Sequence, residues 1–104
     1  MGKRVARDEF LSLPEAGQAA LHDLFTRYEN GRERAGEVEP VKDTDLWEFR
    51  VQVGTNPFRA YFFKDGPKYV IVVVCTYKNQ RKMSKTDKST ARRRMASWRA
   101  QGVD

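Results

Sequence analysis

Three stretches in the middle of the chain have the apolar and polar patterning of β-strands. Apolar and polar side chains alternate along residues 47–53 and again along 58–63, which is the period-two pattern of a strand buried on one face. A third stretch, Tyr69–Tyr77, is apolar at almost every position. Turn-forming residues separate the three stretches, so the pattern predicts two adjoining hairpins in an antiparallel meander. We expect the third strand to be central and covered on both faces.

Helical periodicity precedes this predicted sheet. From Pro14 to Tyr28 apolar residues recur at steps of three and four, and Asn30-Gly31 then ends the predicted helix. A shorter helical turn is expected around Arg7–Leu11. The polar, glycine-containing residues 31–45 are predicted to form a loop.

A C-terminal helix is predicted from about Thr86 to Gln101, with Gly102 near its end. One side of this helix would cover the second face of the sheet, and that side carries Ala91, Arg94, Met95 and Trp98. The prediction is therefore a single α+β domain over residues 1–104, in which an N-terminal helical hairpin packs on one side of a small antiparallel sheet and a basic C-terminal helix lies nearby.

The last quarter of the chain holds all of its surplus positive charge. Residues 78–99 contain nine basic residues and one acid, Asp87, whereas the remainder has eleven basic and thirteen acidic residues. The net charge of +6 is therefore concentrated just after the most apolar strand. Such a block favours a polyanionic partner such as a nucleic-acid backbone, although a solvated charged helix explains the composition about equally well.

Several other kinds of chemistry are disfavoured. The single cysteine, Cys75, excludes an internal disulfide and is predicted to be a small buried side chain rather than a reactive thiol. His22 is the one histidine, and there is no cysteine–histidine cluster or glycine-rich phosphate loop, so we expect neither a metal nor a cofactor. No apolar run approaches the roughly 20 residues of a membrane span, so no membrane contact and a cytoplasmic location are expected.

The order of these elements and several local motifs resemble the RelE/ParE toxin superfamily, specifically its HigB-like, phage-derived branch. The resemblance rests on Leu-Trp-Glu-Phe-Arg at 46–50, on Phe-Arg-Ala-Tyr-Phe at 58–62, on residues 77–82 after the apolar strand, and on Ala91 and Arg94 in the final helix. It covers nearly the whole chain from about Phe10.

The resemblance implies a toxin of a type II toxin–antitoxin pair that cuts messenger RNA on the ribosome and so inhibits translation. Its relatives use the ribose 2′-hydroxyl as the nucleophile against the adjacent phosphate, without a metal. This chemistry needs cations for the phosphorane, an acceptor for the 2′-hydroxyl proton and a donor for the leaving 5′-oxygen. The implied partners are mRNA on the ribosome, ribosomal RNA and a helix-turn-helix antitoxin.

Strand alternation and the resemblance together select the candidate residues. If Phe49 faces the helices, Arg50 points to the opposite, open face, and the same alternation places Arg59 and Tyr61 there. Arg59 matches the catalytic strand arginine of the superfamily, and Lys78 and Arg81 follow the neighbouring strand. The catalytic candidates are Arg59, Lys78, Arg81 and Tyr77, and the RNA-binding candidates are Arg50, Tyr61, Lys82, Lys85, Arg92 and Arg93.

The chain departs from the superfamily pattern in the residues that transfer protons. Asn79 stands where many relatives have a second basic residue, and Ser84 stands where they have proline. In the best-studied relatives a C-terminal tyrosine or histidine helps proton transfer, but no residue after Tyr77 is either. The general acid and base are therefore left open among Tyr77, Lys78 and Lys85.

Alternatives remain for Arg59 and for the function. Arg59 could pair with Glu48 across the hairpin as an ordinary surface ion pair. The chain could also be a ParE-like inhibitor of DNA gyrase, which acts by binding rather than by cutting RNA. A third alternative is a phage module that binds nucleic acid and has lost catalysis.

Overall fold

The computed structural model describes residues 5–67, 69–77 and 82–101. These residues form a sheet of four strands with helices on both of its faces, so the predicted α+β class is confirmed. The elements in chain order are α1 (Val5–Leu11), α2 (Glu15–Glu29), β1 (Val38–Pro40), β2 (Trp47–Val53), β3 (Asn56–Asp65), β4 (Tyr69–Thr76) and α3 (Lys85–Gln101).

The sheet has the order β1-β2-β3-β4, and every pair of neighbours is antiparallel. Strands β2, β3 and β4 are the predicted meander. Strand β1 was not expected, because residues 31–45 were predicted to be a loop. Val38 pairs with Phe49, and the Arg50 N–H donates to the Glu37 carbonyl at 2.8 Å. Three residues are too few to show alternation, so β1 is defined by its pairing with β2.

The first face of the sheet packs on α1 and α2. Leu21 and Leu24 of the predicted apolar stripe are completely buried, and the rings of Phe49 and Phe62 stack with centroids 4.2 Å apart in the same cluster. Gly17 of α2 lies so close to Phe58 that a Cβ atom there would collide with the phenyl ring. This close approach of helix and strand requires glycine at that position.

The second face packs on α3, as the C-terminal periodicity predicted. Ala91 and Met95 are buried in a second cluster with Phe63, Val73 and Val74 from the sheet. The outer sides of α3 are basic, and within the described residues no helix is both long and apolar enough to cross a membrane. The predicted position of Gly102 near the end of the helix lies outside the described residues.

The position of β4 corrects one prediction. This strand was expected to be central because it is apolar on both sides, but it is the last strand of the sheet beside β3. Both of its faces are nevertheless covered, since Cys75 belongs to the first cluster and Val73 and Val74 belong to the second. Helices α1 and α3 flank β4 and supply the apolar surroundings that a central strand would share with its neighbours.

Candidate active site

Four polar side chains occupy adjacent cross-strand positions on the second face of β2 and β3. Arg50 is directly opposite Arg59, and Glu48 is directly opposite Tyr61. The intervening residues Phe49, Ala60 and their neighbours pack in the first cluster, so the alternation predicted from the sequence places these four on one face.

The depth of this face differs from the prediction. Arg50 is exposed, but Arg59 is only 2% exposed and Tyr61 is completely buried. The expectation that both lie on an open face is therefore wrong. The cluster that contains Tyr61 also contains Leu46 from the segment before β2 and Met83 from the segment before α3. The second face is thus covered over β3 and β4 and exposed at Arg50 on β2.

Arg59 and Glu48 form an ion pair, with 3.4 Å between Arg59 Nε and Glu48 Oε2. The alternative of an ordinary surface pair is correct about the partner but wrong about the exposure. The Arg59 side chain is 2% exposed and that of Glu48 is 19% exposed, so the pair is largely buried. Burial raises the pKa of the Glu48 carboxyl above its usual value, and the charge of Arg59 opposes that shift. Burial, reinforced by the negative charge of Glu48, likewise raises the pKa of the Tyr61 phenol.

The charge balance of this group suits an anion. Two arginines directly opposite each other in an antiparallel pair repel, and like charges in that position are destabilising. Among these four side chains Glu48 offsets one of the two charges, so the exposed Arg50 is the cation that an anion could reach. Glu39, opposite Glu48 on β1, and the buried Asp87 near Tyr61 add negative charge around the group. A phosphate bound at Arg50 would therefore relieve the repulsion and gain charge-assisted hydrogen bonds.

Tyr77 lies away from this group. Its ring is half-exposed and stacks on Phe58, with centroids 5.5 Å apart and planes 13° apart. Phe58 belongs to the first cluster, whereas Arg59 pairs with Thr76 one position earlier. The structure therefore brings the phenol of Tyr77 to the side of Phe58 and does not bring it to Arg59.

The remaining candidates lie at or beyond the end of β4. Lys78 and Arg81 fall outside the described residues. Lys82, Lys85, Arg92 and Arg93 are exposed cations in or just before α3. Arg92 Nη2 donates to the Asp43 carbonyl at 3.3 Å, whereas Arg93 lines a groove beside Val73. The α3 cations therefore lie on two different sides of the helix.

Glu48 was expected only as a partner of Arg59 and was not predicted to have a functional role. The signal that could have found it is its place in the hairpin: Glu48 precedes Arg50 by two residues and so shares its face. The structure places its carboxylate 3.4 Å from Arg59 Nε and its backbone directly opposite Tyr61.

The two residues set aside in the sequence analysis are placed as expected. Cys75 is buried, as predicted, and burial raises the pKa of its thiol to about 12. His22 is exposed on α2.

The structure is that of an α+β protein with two opposed arginines on one face of its sheet and a basic helix packed on that face. The chain belongs to the family of phage-derived Gp49-like proteins, whose model matches residues 8–96. Proteins described as probable endoribonuclease HigB1 in two strains of Mycobacterium tuberculosis, CDC 1551 / Oshkosh and H37Rv, are each 37% identical to it over 98 residues. These matches cover 94% of this chain and 77% of each relative. The predicted resemblance to the HigB-like, phage-derived branch is thereby confirmed.

Proposed function

We propose that this protein is an endoribonuclease toxin of a type II toxin–antitoxin pair, which cuts messenger RNA on the ribosome and so inhibits translation. The observation that carries the proposal is the 37% identity, over nearly the whole chain, to proteins described as probable endoribonuclease HigB1. The arrangement of Arg50, Arg59 and Glu48 on one face of the sheet supports it, because the proposed reaction needs both cations and a proton acceptor.

In the proposed reaction the 2′-oxygen attacks the adjacent phosphorus, and the bond from phosphorus to the 5′-oxygen breaks. The 2′-hydroxyl proton passes to a base, and an acid protonates the 5′-oxygen as it leaves. The products are a 2′,3′-cyclic phosphate and a 5′-hydroxyl end. We assign Arg50 to the phosphate, since it is the exposed arginine of the group.

Arg59 has a different part in this proposal. Its buried guanidinium holds the carboxylate of Glu48 in place and adds positive potential near Arg50. We therefore assign Arg59 to positioning Glu48 rather than to direct contact with the phosphate. Glu48 is the proposed proton acceptor, because its raised pKa makes it a stronger base than an exposed carboxylate. Tyr77, Lys78 and Arg81 remain candidates for the leaving-group proton and for further phosphate contacts.

The α3 cations have a separate proposed role. Lys82, Lys85, Arg92 and Arg93 are exposed and surround a helix with few acids, which suits sequence-independent contact with ribosomal RNA. We further propose a helix-turn-helix antitoxin as the protein partner, because the toxins that this chain resembles are paired with one, and the cytoplasm as the place of action, because translation takes place there.

Brief induction followed by mapping of transcript 5′ ends tests the function. We expect new ends with 5′-hydroxyl groups inside translated regions before any change in plasmid supercoiling. A supercoiling change that comes first would favour the gyrase inhibitor. Salt-dependent RNA binding by the purified protein, with no cleavage on translating ribosomes, would identify a non-catalytic module. Cleavage of naked RNA at the same rate would contradict ribosome dependence.

An Arg50→Ala variant tests the site. Because Arg50 is exposed and lies in a strand whose apolar face stays intact, we expect normal folding and a fall in cleavage rate on the order of a hundredfold. The matched control is Arg7→Ala, which removes an exposed arginine from α1. Equal activity of the two variants would remove Arg50 from the mechanism.

A further inference from the structure

The outer edge of β4 poses a physical problem that the proposed function does not address. Within the described residues β4 is the last strand of the sheet, and its sequence at 70–75 is Val-Ile-Val-Val-Val-Cys. Val70 is one of the few large apolar side chains left exposed. An apolar strand at a sheet edge is a template for pairing with another chain, and natural proteins protect such edges.

Two side chains from different helices meet at this edge. Glu9 Oε1 accepts a hydrogen bond from the Cys75 backbone N–H at 3.1 Å and another from Arg94 Nη1 at 2.9 Å. Arg94 Nη1 also donates to the Val73 carbonyl at 2.7 Å. Glu9 is on α1 and Arg94 is on α3, so the pair links helices that cover opposite faces of the sheet.

The backbone groups that this pair satisfies are those that an added strand would use. The β3–β4 register shifts at this point, so Val73 lies between Val72 and Val74 without a paired residue on β3. The Cys75 N–H and the Val73 carbonyl are instead bonded by Glu9 and Arg94, which come from the helices rather than from β3. A carboxylate that accepts from an N–H and a guanidinium that donates to a carbonyl reproduce the pairing pattern of a neighbouring strand.

Along the part of this edge that the structure describes, two grooves flank the Glu9–Arg94 pair, and residues of α1 border both. One groove of about 510 Å³ lies beside Ile71 and Val73 and is lined by Trp98 of α3. Another of about 640 Å³ lies beside Cys75 and is lined by Leu13. The helices therefore leave room for the side chains of a strand laid along β4, and the ion pair stands between the two grooves.

We propose that the Glu9–Arg94 pair is an edge guard that prevents β4 from pairing with β4 of a second copy of this chain. The occupant is a second copy of this chain, because β4 is apolar along 70–75 and an antiparallel pair of identical strands is related by a two-fold axis and is self-complementary. The apolar residues of two β4 strands would then continue one sheet. This proposal does not depend on the nuclease function.

Two variants separate edge protection from simple helix–helix attraction. The double variant Glu9→Ala/Arg94→Ala removes both charges at once, so no unpaired charge is left at the edge. The swapped variant Glu9→Arg/Arg94→Glu keeps an ion pair between α1 and α3 but sets a donor against the Cys75 N–H and an acceptor against the Val73 carbonyl. The matched control is Arg27→Ala/Glu37→Ala, which removes an ion pair of similar burial between α2 and the segment just before β1.

Light scattering on size-fractionated protein measures the outcome over a range of concentrations. We expect the wild type and the control to be monomers, and both edge variants to shift to dimers or larger species. Adding Val70→Lys to an edge variant should restore the monomer, since a lysine on an edge strand opposes pairing. Monomeric swapped protein, or a control that associates equally, would overturn the proposal.

Amide hydrogen exchange on the wild-type protein gives a test that needs no variant to fold. The Cys75 amide should be protected to the degree of the amides in β3, because the Glu9 carboxylate accepts from it. Rapid exchange at Cys75 in a folded monomer would show that the guard is not closed in solution, and would overturn the proposal.

Discussion

Replacing Arg59 with methionine should destabilise the protein far more than replacing Arg50. Arg59 is buried in an ion pair with Glu48, and methionine fills much of its volume while it leaves the carboxylate without that partner. Breaking a buried pair by removing one partner costs about 3–5 kcal/mol of the free energy of unfolding. The matched Arg50→Met variant changes an exposed side chain and should stay within about 0.5 kcal/mol of the wild type.

The expected loss of stability at Arg59 would lower activity even if Arg59 had no part in catalysis. A domain of this size is stable by about 5–15 kcal/mol, so the loss at Arg59 could unfold a substantial fraction of the protein at physiological temperature. An inactive Arg59 variant would therefore not by itself place that residue in the chemistry. Arg50 variants, with intact folding, are the cleaner test of the site.

Urea denaturation followed by tryptophan fluorescence measures both variants, since Trp47 and Trp98 lie in different parts of the fold. The double variant Arg59→Met/Glu48→Met should recover most of the loss, because an apolar replacement of a buried pair is often neutral or stabilising. A loss below about 1 kcal/mol in Arg59→Met, or no recovery in the double variant, would refute the buried-pair reasoning.

The loss at Arg59 should also depend on pH. Burial already raises the folded-state pKa of Glu48, and removing the charge of Arg59 raises it further. The folded protein then binds a proton more tightly than the unfolded chain, so stability falls as the pH rises from the unfolded pKa through the folded one. Arg59→Met should consequently lose less stability in mild acid than at neutral pH, whereas a pH-independent loss would show that Glu48 is not the group left unpaired.

Three further predictions follow from the packing. Gly17→Ala should lower the free energy of unfolding by about 1–3 kcal/mol in urea titrations, because its methyl group would displace the Phe58 ring, and an unchanged or higher stability would contradict that contact. Cys75 should react with iodoacetamide at pH 8 at least about a thousandfold more slowly than a free thiol, because its pKa is about 12. Denaturant should expose the thiol and restore fast labelling, whereas fast labelling of the native protein would show that the thiol is accessible. Trp98→Phe should cost about 0.5–1.5 kcal/mol by the same titration, because it loses the hydrogen bond from Nε1 to Asp65 Oδ2 at 3.0 Å, and Asp65→Asn in the same background should then add little.

Part of the candidate site follows from local rules alone. Alternation assigns Glu48, Arg50, Arg59 and Tyr61 to one face as soon as the hairpin is recognised, and the structure has them there. Alternation is silent about depth, since a strand has the same period whether its second face is exposed or covered. The burial of Tyr61, which shares that face with Arg59, depends on residues from other segments, before β2 and before and within α3.

The contrast between β4 and α2 shows where the sequence by itself is sufficient. The spacing of apolar residues in the sequence determined α2 and the meander. The 3.6-residue and 2-residue periods and the turn residues depend only on residues that are close together in the chain. Only the tertiary structure decided that β4 is an edge strand. An edge strand that is covered by helices on both faces is as apolar as a central strand, so the sequence does not distinguish the two positions. The tertiary structure also decided that Glu9 and Arg94, 85 residues apart, meet at that edge, because no local period connects residues that are joined by the packing of two helices around one strand.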